Sequence, residues 1–92
     1  KNRFVMEITH DAARCLFQTE VNGMRAYVSY VINNGSLDIE HTIVPPEIGG
    51  RGIAAALVKA TYDYALSQNL SPRASCEYAA VWLKRNPSYK RD

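Results

Sequence analysis

Two cysteines in 92 residues, Cys15 and Cys76, are too few for a disulfide framework and stand at no metal-ligand spacing. A reducing compartment and no bound metal are expected. Long apolar runs are missing as well. None approaches the roughly 18 residues of a membrane-spanning helix, and the start "KNRFVMEITH" has no signal-peptide core. The expectation is a cytoplasmic protein with no membrane partner, read from a chain that lacks an initiator Met and looks trimmed. Net charge is scarce too: 11 Lys and Arg against 9 Asp and Glu leave +2, without the dominant basic face that a nucleic-acid partner requires. There are no internal repeats and no low-complexity segments, and the length suits one domain spanning 1–92.

What is present is an ordinary globular composition, 47% apolar and 22% charged, enough for a modest core. Its positive charge is uneven. Lys84, Arg85, Lys90 and Arg91 crowd the C-terminus, either as a solvated tail or as a site for a phosphorylated ligand.

Residues 3 to 44 alternate as an antiparallel meander does. Phe4, Met6 and Ile8 share one parity, as do Cys15, Phe17, Thr19 and Val21. Met24, Ala26, Val28, Tyr30 and Ile32 form a third set, and Leu37, Ile39, His41 and Ile43 a fourth. Asn22-Gly23 and Asn34-Gly35 are type I′ hairpin signals, since both central residues need positive φ. With those loops, Val21 pairs with Met24, Phe17 with Val28, Ile32 with Leu37 and Tyr30 with Ile39, all on one apolar face. A slip of one residue would invert every strand, so this agreement supports the meander. The first connection falls around His10 to Ala13.

From Gly52 the period becomes helical, with Ile53, Ala56, Leu57, Ala60, Thr61 and Tyr64 along one stripe. A helix over Ala54 to Gln68 is predicted, closed by Asn69 and Pro72. A short strand, about Arg73 to Cys76, and a short helix, about Ala79 to Lys84, should follow. The class is therefore α+β.

The junction "PPEIGGRGIAAAL", residues 45 to 57, carries a strand into that helix. Its glycines allow positive φ and leave backbone amides uncovered. The helix's first N–H groups lack internal partners, so a pyrophosphate would fit there, although a tight turn alone could select the same glycines. It has neither the Gly-Lys-Ser/Thr ending of a P-loop nor the βαβ setting of a dinucleotide fold.

Four antiparallel strands leading through "VPPEIGGRGIAAAL" into a long helix resemble the acetyl-CoA-binding core of the GNAT acetyltransferases. With "SCEYAAVWL" and "RNPSY" in the same order, residues 3 to 89 look like the family of very small GNAT-like proteins. The resemblance implies a minimal GNAT-like fold, an acetyl-CoA or CoA ligand, and an amine acceptor such as a protein lysine. It places the phosphate loop on Gly49, Gly50, Arg51, Gly52, Ile53 and Ala54, with Gly49 where the superfamily pattern has Gln or Arg. Arg51 then becomes the charged contact to phosphate.

The resemblance also implies that the end of the fourth strand splays from the fifth, and backbone N–H groups near Ile43 and Val44 would then serve the oxyanion. Pro45 and Pro46 end the ladder there. His41, by parity on the apolar face opposite Val28, is either a core histidine or a general base, with Glu40 in reserve on the other face. Cys76 is either a small buried hydrophobe or the residue beside the thioester, contacting its sulfur or taking the acetyl group as nucleophile. Tyr78 either packs or protonates the leaving thiolate. Asn86, in "RNPSY", contacts CoA or caps the last turn, and Lys84 and Arg85 reach the adenosine phosphates or stay solvated.

Overall fold

Asn22 and Gly23 have φ of 53° and 76°, and Asn34 and Gly35 have φ of 51° and 77°. These left-handed pairs fit the two hairpin turns expected from the sequence. In the computed structural model, which describes residues 6–91, they join β2 (Leu16–Val21), β3 (Met24–Asn33) and β4 (Ser36–Ile43). The pairs Val21 with Met24, Phe17 with Val28, Ile32 with Leu37 and Tyr30 with Ile39 are all formed. Ile32 is nevertheless 48% exposed, because it lies at the hairpin end of the sheet beyond the packed core.

β1 (Thr9–Asp11) lines up against β2, with His10 opposite Phe17. Its turn runs over residues 12–15, later than the sequence suggested, and Cys15 closes it at φ 58° instead of joining β2. Phe4, expected on this strand, lies outside the described residues. Burial alternates along β2 and β3, so the sheet is covered on one face.

The cover is α1 (Ile53–Ser67), which contacts β2, β3, β4 and β5. Ile53, Leu57 and Thr61 are buried as expected. Val58, Tyr62 and Ala65 are buried beside them, whereas Ala56, Ala60 and Tyr64 are only half-buried. The buried stripe is rotated because α2 (Glu77–Arg85) packs on the flank of α1, with Trp82 5.9 Å from Tyr62. Against α1 stand Ala26, Val28, Tyr30, Leu37 and Ile39. Each fully buried Leu, Ile or Val contributes about 1.5–3 kcal/mol of apolar burial. Thr61 can sit among them because its hydroxyl donates to the Leu57 carbonyl 2.8 Å away. The Tyr62 hydroxyl donates to the Arg73 carbonyl and ties α1 to the sheet.

The last strand, β5 (Ser71–Ala74), joins the edge of the sheet parallel to β4, so the order is β1-β2-β3-β4-β5. It lies two residues before its expected position and contains Pro72. An outer strand tolerates proline because the missing N–H can point away from its neighbour. Correspondingly, α2 begins at Glu77 and not at Ala79, with Cys76 as its N-cap and not as the end of the strand.

One irregularity re-aims half of β4. Tyr30 pairs with Ile39, but the preceding residue of β3, Ser29, pairs with His41. Glu40 is therefore an extra residue, a β-bulge. Beyond it, alternation is reversed: Thr42 stands opposite Val28, and Ile43 opposite Tyr27. This corrects the placing of His41, which is exposed on the open face of the sheet and does not face Val28. Ile43, expected on the apolar face, is 44% exposed for the same reason. A parity count cannot register an inserted residue.

Candidate active site

Pairing between β4 and β5 ends at Ile39 and Ala74. The Ile39 carbonyl then accepts N–H groups from both Ser75 and Cys76, each at 3.0 Å. From there β4 continues along β3 while the chain after β5 turns into α2, and the two separate as a fork. Cys76 sits at that fork in extended backbone, φ −77° and ψ 131°, with its thiol donating to the Thr42 hydroxyl at 3.5 Å. The bulge is what turns Thr42 toward it. The neighbouring Ser75 hydroxyl donates to Asp38 at 2.6 Å, a bond from the residue just past β5 back to β4.

The junction after β4 is held by Ile48, which is 1% exposed and ends a 3₁₀ turn over Pro46–Ile48. Gly50 and Gly52 follow at φ 74° and 77°, a conformation that costs other residues about 1–2 kcal/mol. A Cβ on either would meet nothing within 4 Å, so backbone sign selects these glycines and the space before them is open. Gly49 differs, with φ −71° and a Cβ that would lie 3.3 Å from the Pro46 carbonyl oxygen.

Gly52 is the N-cap of α1 and supplies no side-chain cap. The first intrahelical bond runs from the Ala56 N–H to the Gly52 carbonyl. The N–H groups of Ile53, Ala54 and Ala55 are therefore without helical partners and lie at the positive end of the helix dipole. No backbone bond among the described residues takes the N–H of Gly50, Arg51 or Gly52 either.

These amides border a surface depression of about 310 Å³ that also receives Val44, from the end of β4, and Tyr78, from the first turn of α2. Among the residues singled out in the sequence, it gathers Val44, Gly49, Gly50, Gly52, Ile53, Ala54 and Tyr78. Arg51 is exposed beside it. It does not gather Ile43 or His41, which the bulge sends elsewhere. Nor does it gather Lys84, which lines a different groove, or Asn86, whose amide donates to the Trp82 carbonyl at 2.8 Å and so caps α2. Thr42 and the Ser75–Asp38 pair were missed, since only the bulge and the fork bring them to this place. A larger depression, about 570 Å³ between Glu7, Glu20 and Arg25, holds none of the residues expected in the site.

A strand that forks from its parallel neighbour beside a glycine-rich helix N-terminus defines the class, and the family comparison agrees. A family model described as GCN5-related N-acetyl-transferase matches residues 16–92. The chain belongs to this family. Among its relatives, Protein NATD1 of Xenopus tropicalis and Protein NATD1 of Homo sapiens are each 34% identical over 85 residues. Those alignments cover 89% of this chain and 78% and 75% of the two relatives. The NMR solution structure of a GCN5-like protein from Staphylococcus aureus has a TM-score of 0.70. It is 32% identical and overlaps 90% of this chain and 82% of that one. The small α+β GNAT-like fold read from the sequence is thereby shown.

Proposed function

We propose that this protein transfers an acetyl group from acetyl-CoA to a primary amine, and that the acceptor is a lysine side chain of a cytoplasmic protein. The observation that carries the proposal is the convergence of free backbone amides, the end of β4 and Tyr78 on one open depression. A pyrophosphate fits it on chemical grounds, since the donors are uncharged N–H groups at a helix N-terminus with no Cβ in front. The amides of Gly50 to Ala54 hold it, and the exposed Arg51 adds charge-assisted contact.

Acetyl-CoA supplies an activated thioester. The fork receives the acetyl end, where the Val44 N–H is the oxyanion donor, and Ile43, now turned outward, contributes only its backbone. The amine attacks the thioester carbon, forming the C–N bond as the C–S bond breaks. Tyr78 returns a proton to the departing thiolate. The amine's own proton passes to Glu40 or His41, both exposed at the bulge just past the last β4–β5 pair. Cys76 lines the thioester sulfur. Its hydrogen-bond partner is the Thr42 hydroxyl, which is no base, and this favours direct transfer over a route through the thiol.

Intact mass spectrometry after incubation with acetyl-CoA tests this reading on wild type and Cys76→Ala. CoA release that requires an amine and survives in Cys76→Ala is the expected result. An acetyl adduct that disappears in Cys76→Ala would establish the covalent route instead. A second reading, a CoA-binding module with little catalysis, draws on the open sheet face, which builds no enclosure for an acceptor. Calorimetric binding of CoA without turnover of any amine would select it, and absence of binding would remove both.

A further inference from the structure

β5 is the outer strand of the sheet, and a groove of about 320 Å³ runs between it and α2. Pro72, Leu83 and Pro87 give the groove apolar walls, while Arg73, Lys84 and Lys90 stand around it. All three cations are exposed, and none has a carboxylate within ion-pair distance among the described residues. A chain with a net charge of only +2 has therefore gathered three unneutralised cations around one apolar slot. The groove shares no residue with the depression at the glycine loop.

We propose that this groove docks an acidic, extended segment of a partner protein. Its carboxylates meet Arg73, Lys84 and Lys90, and an apolar side chain between them enters against Pro72, Leu83 and Pro87. Side chains carry the recognition. Strand addition onto β5 is a poor alternative, because the strand has four residues and Pro72 has no N–H to offer. Nucleic acid fits less well than an acidic peptide: no aromatic ring lines the groove to stack on a base, and apolar walls do nothing for a phosphate backbone. Docking here needs no bound CoA, so it stands or falls separately from acetyl transfer.

The test is fluorescence anisotropy with a short dye-labelled peptide of alternating glutamate and leucine. Its glutamine counterpart and a single-stranded oligonucleotide of equal charge serve as comparisons. Saturable binding is expected, weakening as salt is raised and falling about tenfold in the double variant Lys84→Glu/Lys90→Glu. Both positions are exposed, and the amide spectrum of the variant verifies its fold. In wild type the peptide should move the amide signals of Arg73, Ala74, Leu83 and Lys84 and leave Gly50 to Ala54 in place. Four results would overturn the proposal: equal binding of the glutamine peptide, tighter binding of the oligonucleotide, displacement of the peptide by CoA, or no saturable binding at millimolar peptide.

Discussion

His10 is exposed, yet its ring packs against three others. It stacks on Phe17 at 4.1 Å with planes 6° apart and meets Tyr64 edge-on at 4.4 Å. Its Nε2 shares a 2.6 Å hydrogen bond with the Tyr30 hydroxyl. Burial lowers the His10 pKa from its ordinary 6.5, and the charge of Asp11 only partly opposes this. Burial likewise pushes Tyr30 up to about 12, with smaller electrostatic contributions from the neighbouring Cys15, Tyr64 and Asp11. Partial burial thus favours the neutral form of each side chain in the fold. Because the unfolded chain takes up the His10 proton more readily, this contribution is complete above about pH 6.5 and is lost as pH falls through the lowered native value. Urea denaturation across a pH series should show wild type losing more stability on acidification than His10→Asn. Parallel curves would mean that protonation of His10 does not disturb the cluster.

Among the elements, the C-terminal 3₁₀ turn (Pro87–Tyr89) acts as a clasp on α1. Tyr89 lies edge-on to Trp82 at 4.9 Å, and its hydroxyl donates to Asp63 at 2.6 Å. Burial resists ionisation of Asp63, but the hydrogen bonds from Tyr89 and Lys59 outweigh it and hold the carboxyl below its ordinary 3.8. Tyr89→Phe should cost about 1 kcal/mol near neutral pH, read from urea midpoints. The deficit should shrink as pH falls below 3.8 toward the depressed native value, where Asp63 takes up its proton.

Such elements differ in how plainly the sequence announces them. The hairpins were legible because Asn-Gly fixes both turn type and register. The glycine loop was legible because positive φ leaves few residue choices. The bulge at Glu40 was not, since alternation before and after it looks the same, and so the parity count puts His41 and Ile43 on the wrong face. The position of β5 was misread because Pro72 looked like a barrier before the strand, whereas an outer strand admits it. Asn86 belongs to a family motif and Lys84 to the C-terminal run of cations, but their places depend on how α2 packs, which no local pattern encodes.

For the whole molecule, acetyl-CoA binding should appear as added stability, since a ligand that binds only the folded chain shifts the unfolding equilibrium. At about a hundredfold excess over Kd the gain is about 2.7 kcal/mol, a large increment for so small a core. Thermal unfolding with and without acetyl-CoA measures it. Gly52→Ala should reduce both the ligand-dependent shift and, by about 1–2 kcal/mol, the intrinsic stability. A full ligand-dependent shift in that variant would place the phosphates elsewhere. The bulge in β4 bears on how this molecule can vary. Leu37 and Ile39, before it, are fully buried, so changes there are confined to swaps of similar volume. Glu40, His41 and Ile43, at and after it, are exposed. One inserted residue therefore divides a strand into a portion whose side chains the core holds and a portion whose side chains stand outside it. Under the proposed acetyl transfer, substitutions at these few positions would alter the choice of acceptor and leave the scaffold beneath them the same.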